Sequence, residues 1–360
     1  MIPTINLMIG LPVEIMQDKR EALAVLNPLR NWLVGEHHFQ IENQPASFNI
    51  LQVRALPQPV GTYSSWGINL NGSWKYNQQA LQKPVAIADI GFNTLDLFAL
   101  ESGQMMVEAT GGDTLGMHRV ADAICKHVHR RYKVSLNMYK ADQLMRDYLT
   151  NGQAILHHSE GETDLSTIIE QSLQEQVTKI VQFIRQHWDR GTQFAHLIIT
   201  GGGAQALRPY LLKHFPQAIF LADPVIANAE GLAKYSLRKG LFSQLADHHI
   251  GLDPGFGGVK VAEVYGNERQ LLTGHIPAVI GYGTTDAGML STGLRRRKAD
   301  QPTAIQINET NYVVGSNVHL YAKPIERLDF QRLSAGPELQ ALLYVALWQI
   351  ISQTELEAIR

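Results

Sequence analysis

The chain has a single cysteine, Cys125, so no internal disulfide can staple it, and its stability must come from a packed core. It contains no uncharged apolar run of about 18 residues, which excludes an ordinary membrane-spanning helix. Neither sign of charge is in excess: 31 Lys and Arg stand against 33 Asp and Glu, a formal net charge of -2. No broad basic field is therefore offered to a nucleic-acid backbone or an anionic membrane, and direct contact with either is not expected. The segment 1–14 lacks a basic leader with a small-residue cleavage site, which gives the expectation of a cytoplasmic protein. Also missing are the P-loop and dinucleotide glycine patterns, a nucleophile elbow and any internal repeat. The pairs His37-His38, His157-His158 and His248-His249 lack the i, i+4 spacing of a zinc site.

What is present is length and apolar content. With 360 residues, 45% of them hydrophobic, the chain is too long for one ordinary core and fits two α/β lobes. Short β-rich runs that end in Gly or Asp alternate with longer helical stretches. Strands are expected over 5–12, 48–53, 84–88, 195–200 and 249–252, with a hairpin pairing 259–265 and 270–273. Helices are expected over 19–34, 116–132, 164–188 and 204–214, with a last one opening at Pro337. Pro57, Gln58 and Pro59 read as a turn after the second strand.

Three glycine bends carry chemistry. The sharpest is Asp253-Pro254-Gly255-Phe256-Gly257-Gly258-Val259-Lys260, a bend between two strands with a carboxylate at one end and an ammonium at the other. Its glycines let backbone N–H groups approach phosphate oxygens, Asp253 can hold hydrated Mg²⁺, and Lys260 can neutralise phosphate charge. Taken alone, the bend also fits a plain tight hairpin. A second copy lies at Asp89-Ile90-Gly91-Phe92-Asn93-Thr94-Leu95-Asp96-Leu97, where Asn93 and Thr94 suit either a phosphate or a solvated loop. Two such bends can grip a polyphosphate with both aspartates facing the metal. The third, Thr200-Gly201-Gly202-Gly203, is a strand-to-helix turn without side chains, suited to a purine or phosphate lying on backbone. The run Arg295-Arg296-Arg297-Lys298 reads as a solvated loop.

In combination these bends resemble the two phosphate motifs and the adenosine motif of the actin, Hsp70 and sugar-kinase superfamily. Gly10-Leu11-Pro12-Val13, Ala55-Leu56-Pro57-Gln58-Pro59 and Asp223-Pro224-Val225-Ile226-Ala227-Asn228-Ala229-Glu230-Gly231 look specifically like the plasmid-segregation actin-like ATPases, the ParM-like family. The resemblance implies an actin-like ATPase fold with two lobes, each a mixed sheet flanked by helices, and Mg-ATP or ADP between them. It implies Asp253 and Asp89 on Mg²⁺ through waters, and Gly255, Phe256, Gly257, Gly258, Lys260, Gly91, Asn93, Thr94, Gly201, Gly202 and Gly203 around the nucleotide. Gln58 would orient the attacking water, unless it is only a turn residue. It further implies a filament of this chain and an adaptor that binds the DNA cargo. The family's first phosphate motif lies near its N-terminus, whereas here it starts at Asp253, so the order is circularly permuted. The lobes would then be 1–88 with 249–360, which holds the first phosphate motif, and 89–248, which holds the other two motifs. A non-polymerising kinase or phosphatase, or a nucleotide-gated scaffold of the same superfamily, is the rival expectation.

Overall fold

The computed structural model describes residues 2–159, 161–238, 241–266, 268–285, 301–325 and 336–359. The run Arg295 to Lys298 lies outside the described residues. The chain divides into two compact units, one formed by Met1–Asn77 with Ile226–Arg360 and the other by Gln78–Val225. The segment 226–248, assigned from sequence to the second lobe, is thus part of the first unit, and 78–88, assigned to the first lobe, is part of the second.

In the first unit, period-two alternation gives the strand His248–Gly255 two useful faces. Ile250 and Leu252 join a core with Val259, Val261, Leu29, Leu33 and the long apolar helix Pro337–Ile359. On the other face Gly251 lets the helix Ala227–Ser236 come down onto backbone: a Cβ there would lie 2.2 Å from Ala229 O. Among the described residues the unit holds a nine-stranded sheet. Its first five positions, read from one edge, are Gln270–Pro277, Gly258–Tyr265, His248–Gly255, Thr4–Leu11 and Gln44–Pro57, followed by Gly35–Ile41, Thr303–Ile307, Thr310–Val314 and Ile280–Tyr282. The strands Thr4–Leu11 and His248–Gly255 run parallel, as do Thr4–Leu11 and Gln44–Pro57. The hairpin partners of His248–Gly255 are antiparallel.

The second unit repeats that plan. Its sheet runs Gln104–Met105, Leu95–Glu101, Val85–Ile90, His196–Thr200, Ile219–Phe220, and the pairings are again antiparallel, antiparallel, parallel and parallel. A sixth strand, Gly111–Asp113, pairs with Leu95–Glu101 off this path; numbered along the chain, the five strands of the path lie in the order third, second, first, fourth, fifth. The first unit has the same spatial plan, but its fourth and fifth strands, at residues 4–57, precede the first three, at 248–277. Alternate residues Ala86, Ala88 and Ile90 pack on Leu197, Ile199 and the helices His118–Tyr132, Ser166–Trp188 and Gly202–His214.

Several elements differ from the sequence expectation. The second strand extends over Gln44–Pro57, and Gln58 opens a helix, Gln58–Gly67, where a turn was expected. A helix Met138–Asn151 and a small hairpin, Ile155–His158 with Gly161–Asp164, lie between the two central helices. Pro57 ends the long strand because its extended backbone caps the next helix, and Pro59 sits in the first turn, where its missing N–H costs no intrahelical bond.

Candidate functional site

Each unit carries one hairpin built to the same pattern. Asp253 and Lys260 face each other across the pair His248–Gly255 and Gly258–Tyr265. Asp89 and Asp96 face each other across Val85–Ile90 and Leu95–Glu101. The two stretches read Asp-x-Gly-Phe-x-x-x followed by Lys260 in one and Asp96 in the other. Directly opposed residues in an antiparallel pair project to the same side of the sheet, so each bend presents a carboxylate beside a second charged group.

In the first unit Asp253 is 3% exposed. Its Oδ1 accepts from Gln58 Nε2 at 2.8 Å, and its Oδ2 lies 3.4 Å from Lys260 Nζ. Gln58 Nε2 also donates to Pro254 O at 3.1 Å. Both amide hydrogens of Gln58 are thereby used, on acceptors that cannot donate, so the amide has one orientation and its Oε1 is left to accept from a water. The glycines on either side leave room for these groups, most strictly at Gly258. A Cβ on Gly10 would lie 2.9 Å from Gln58 Cγ, and one on Gly255 would lie 3.0 Å from Lys260 Nζ. A Cβ on Gly258 would meet His275 Nε2 at 2.2 Å. Phe256 stands at the tip of the bend, partly exposed, and Gly257 is exposed beside it.

In the second unit Asp89 is 9% exposed and lies beside the third glycine bend. Gly201 has φ +87°, and a Cβ on it would lie 2.4 Å from both Asp89 Oδ1 and Ile90 O. Only glycine fits there, for backbone conformation and for space. Gly203 packs on Ile90 and Met117, whereas a Cβ on Gly202 would meet nothing within 4 Å. Of the three, Gly202 is the one facing open space at the start of the helix Gly202–His214. No side chain caps that helix, so its first N–H groups suit an anion. Thr200 Oγ1 and Gly201 N both donate to Pro224 O, at 3.2 and 3.0 Å, which ties the turn to the segment that follows Asp223.

The bend around Gly91 is closed by Gly91 N donating to Thr94 O at 2.9 Å. Thr94 Oγ1 donates to Asp96 Oδ2 at 2.8 Å, so this threonine holds the second carboxylate. The loop before His118 is stitched onto the bend, with Gly116 N on Asn93 O, Met117 N on Gly91 O and His118 N on Phe92 O, at 3.0, 3.1 and 2.7 Å. Gln176, buried in the helix Ser166–Trp188, donates to Leu115 O at 2.6 Å and braces that loop. Burial holds the His118 imidazole below its ordinary pKa, against a smaller upward pull from its bond to the Phe92 carbonyl.

The residues expected from sequence therefore fall into two sets. Asp253, Lys260, Gly255, Gly258 and Gln58 come together in the first unit, and Asp89, Gly91, Asn93, Thr94 and Gly201 to Gly203 in the second. Asp96 and Gly10 were read only as members of their motifs, with no role of their own, and Gln176 was missed. The seven-residue spacing shared by Asp253 with Lys260 and by Asp89 with Asp96 is a sequence signal for the first of these, while Gly10 and Gln176 act through tertiary contacts that no local pattern announces. Among the described residues no three His, Cys, Asp or Glu side chains gather into a metal-holding group, and no helix is long and apolar enough to cross a membrane.

Residues 87–213 match the family model for the archaeal actin homologue MreB-like proteins, C-terminal part. No curated protein matches the chain. Among solved structures, a non-polymerisable quadruple mutant of pCBH ParM is similar at 21% identity with a TM-score of 0.51, over 63% of this chain and 66% of that one. The selenomethionine form of Ta0583, an archaeal actin homolog, is similar at 18% identity and a TM-score of 0.50, over 64% and 69%. Bacillus thuringiensis ParM with ATP is similar at 15% identity and a TM-score of 0.49, over 64% and 66%.

Proposed function

We infer that this chain, which has an actin-like fold, binds Mg-ATP, hydrolyses it and assembles with copies of itself in a nucleotide-dependent way. The observation that carries this reading is the paired construction: two sheets of one plan, each with an Asp-x-Gly-Phe hairpin at the same place. An acidic group beside open backbone N–H groups is what a metal-bound polyphosphate requires.

The role of each residue follows from its chemistry. Asp253 and Asp89 hold Mg²⁺ through its waters, and Lys260 balances phosphate charge. When bound, the ion neutralises charge developing on the phosphate oxygens. The N–H groups at Gly202 and Gly203 receive the nucleotide on backbone. Gln58, with its amide nitrogen spent on Asp253 and Pro254, offers Oε1 to a water. An amide is a poor base, but a loose phosphoryl-transfer transition state asks for a placed water more than a strong base. Loss of the γ-phosphate removes ligand contacts that favour one assembly state, which makes hydrolysis a switch.

We further propose that the task is plasmid segregation through a DNA-binding adaptor, in the cytoplasm, and that the chain order is rotated. The rotation is supported by the first unit, whose fourth and fifth strands precede its first three. It is also supported by the family match, because a segment described as C-terminal falls in the middle of this chain. Pelleting with ATP, with ADP and without nucleotide, read beside phosphate release, tests the reading. It predicts ATP-dependent pelleting followed by release and disassembly. Turnover without pelleting would leave a non-polymerising enzyme, and binding without turnover a scaffold.

A further inference from the structure

We propose that Asn228, Gly231 and Lys234 are positioning residues for hydrolysis, fixing the helix whose first residue is Gln58. The proposal rests on the reading that Gln58 orients the attacking water. By composition the helix Gln58–Gly67 should be weak. It carries two glycines, and its β-branched and hydroxyl residues are poor helix formers. Only Gln58 and Val60 escape full burial. Its stability and its placement therefore have to come from neighbours, and three neighbours spaced at three-residue steps on the helix Ala227–Ser236 share one face.

Their contacts run the length of the Gln58 helix. Thr62 Oγ1 donates to Asn228 Oδ1 at 2.7 Å inside the protein. At Gly231 the two helices touch backbone to backbone: a Cβ on Gly231 would lie 1.7 Å from Gly61 O and 2.5 Å from Ser65 N. Reciprocally, a Cβ on Gly61 would lie 2.4 Å from Asn228 O. Near the far end, Lys234 Nζ donates to Ser65 O at 3.2 Å while it is ion-paired with Glu230. Lys75 Nζ reaches the same carbonyl at 3.3 Å. Ser65 O lies in the last turn, where carbonyls lack intrahelical partners and cations are favoured. The helix is held along its axis by Lys234, in rotation by Asn228 and in height by Gly231. Those three constraints place the Cα of Gln58, and Asp253 with Pro254 then places its amide. A shift of about 1 Å in such a group is enough to cost catalysis.

The test uses the full chain with Mg-ATP. Thr62→Val removes the hydroxyl at nearly constant volume and breaks the bond to Asn228. It should lower the single-turnover rate of phosphate release roughly tenfold, with ATP affinity changed by less than about twofold. Thr62→Ser should recover most of the rate. In a Gln58→Ala background, Thr62→Val should slow release no further, because its effect runs through that amide. A parental rate in Thr62→Val would overturn the positioning role. So would an affinity loss as large as the rate loss, or the same slowing in the Gln58→Ala background. If Thr62→Val does not fold, Lys234→Gln, which shortens the reach to Ser65 O, should slow release about threefold at unchanged affinity, and no slowing would overturn the role. Failure of the underlying reading shows separately, as a parental rate in Gln58→Ala itself, and would remove both.

Discussion

At Gln58 a single amide decides between a switch and a passive binder. Its Nε2 is committed to Asp253 and Pro254, so on the proposed reading removing the side chain deletes the water's acceptor, while Asp253 keeps its ion pair with Lys260. Gln58→Ala should slow phosphate release by roughly 10- to 1000-fold with ATP affinity little changed. Single-turnover release beside an equilibrium titration checks it, and equal losses of rate and affinity would assign Gln58 a structural role instead. Asp253, Lys260 and Asp89 were legible as single residues because a charge next to a glycine bend is unusual in any strand. Gly10 was legible only as part of the Gly10-Leu11-Pro12-Val13 motif. That its missing Cβ leaves room for Gln58 Cγ is a fact of tertiary packing between strands separated in sequence.

Among elements, the hairpins were readable and the Gln58 helix was not. Alternation and Gly-rich bends mark a hairpin locally, and the paired strands Gly258–Tyr265 and Gln270–Pro277 appear where alternation puts them. The helix Gln58–Gly67 forms against its own propensity because another helix receives it, a case of tertiary context overriding local preference. Its companion, Ala227–Ser236, is lined with Ala227, Ala229, Gly231 and Ala233, small residues that permit close approach both to Gly61 and to the strand at Gly251. Gly231→Ala should therefore be far more damaging than an Ala in a helix usually is. The helix itself would gain, by about 1 kcal/mol, but the added methyl has no space against the Gly61 carbonyl. Overpacking of this kind should leave a net loss of about 3 kcal/mol. Urea denaturation would register it as a lower midpoint, and an unchanged midpoint would show that the helix pair can open without cost.

For the whole molecule, the two-unit α/β plan was legible from length and from the alternation of strands and helices. The boundaries at Asn77 and Val225 were not: the sequence reading puts them at 88 and 248, and the helix Ala227–Ser236 lies wholly in the first unit. The proposed rotation of the chain order has its own consequence. Thr4 is bonded to Asp247 through backbone and side chain, while Thr354 donates to Glu263, which also meets the buried His248. The first strand and the last helix are thus tied to one neighbourhood of the sheet. A rearranged chain running 247–360, a short Gly/Ser linker and then 2–242 should fold and release phosphate at a rate within about threefold of the parent, since loop closure of this kind costs little. Failure of that chain to fold would count against the rotation. The central claim is that both Asp-x-Gly-Phe bends act on one nucleotide, and calorimetric titration of Mg-ATP into the parent, Asp253→Ala and Asp89→Ala tests it most directly. The parent should bind one nucleotide per chain, and each substitution should weaken that one event at least about tenfold, as loss of a metal-orienting group typically does. Parental affinity in either variant, or a second independent site in the parent, would contradict it.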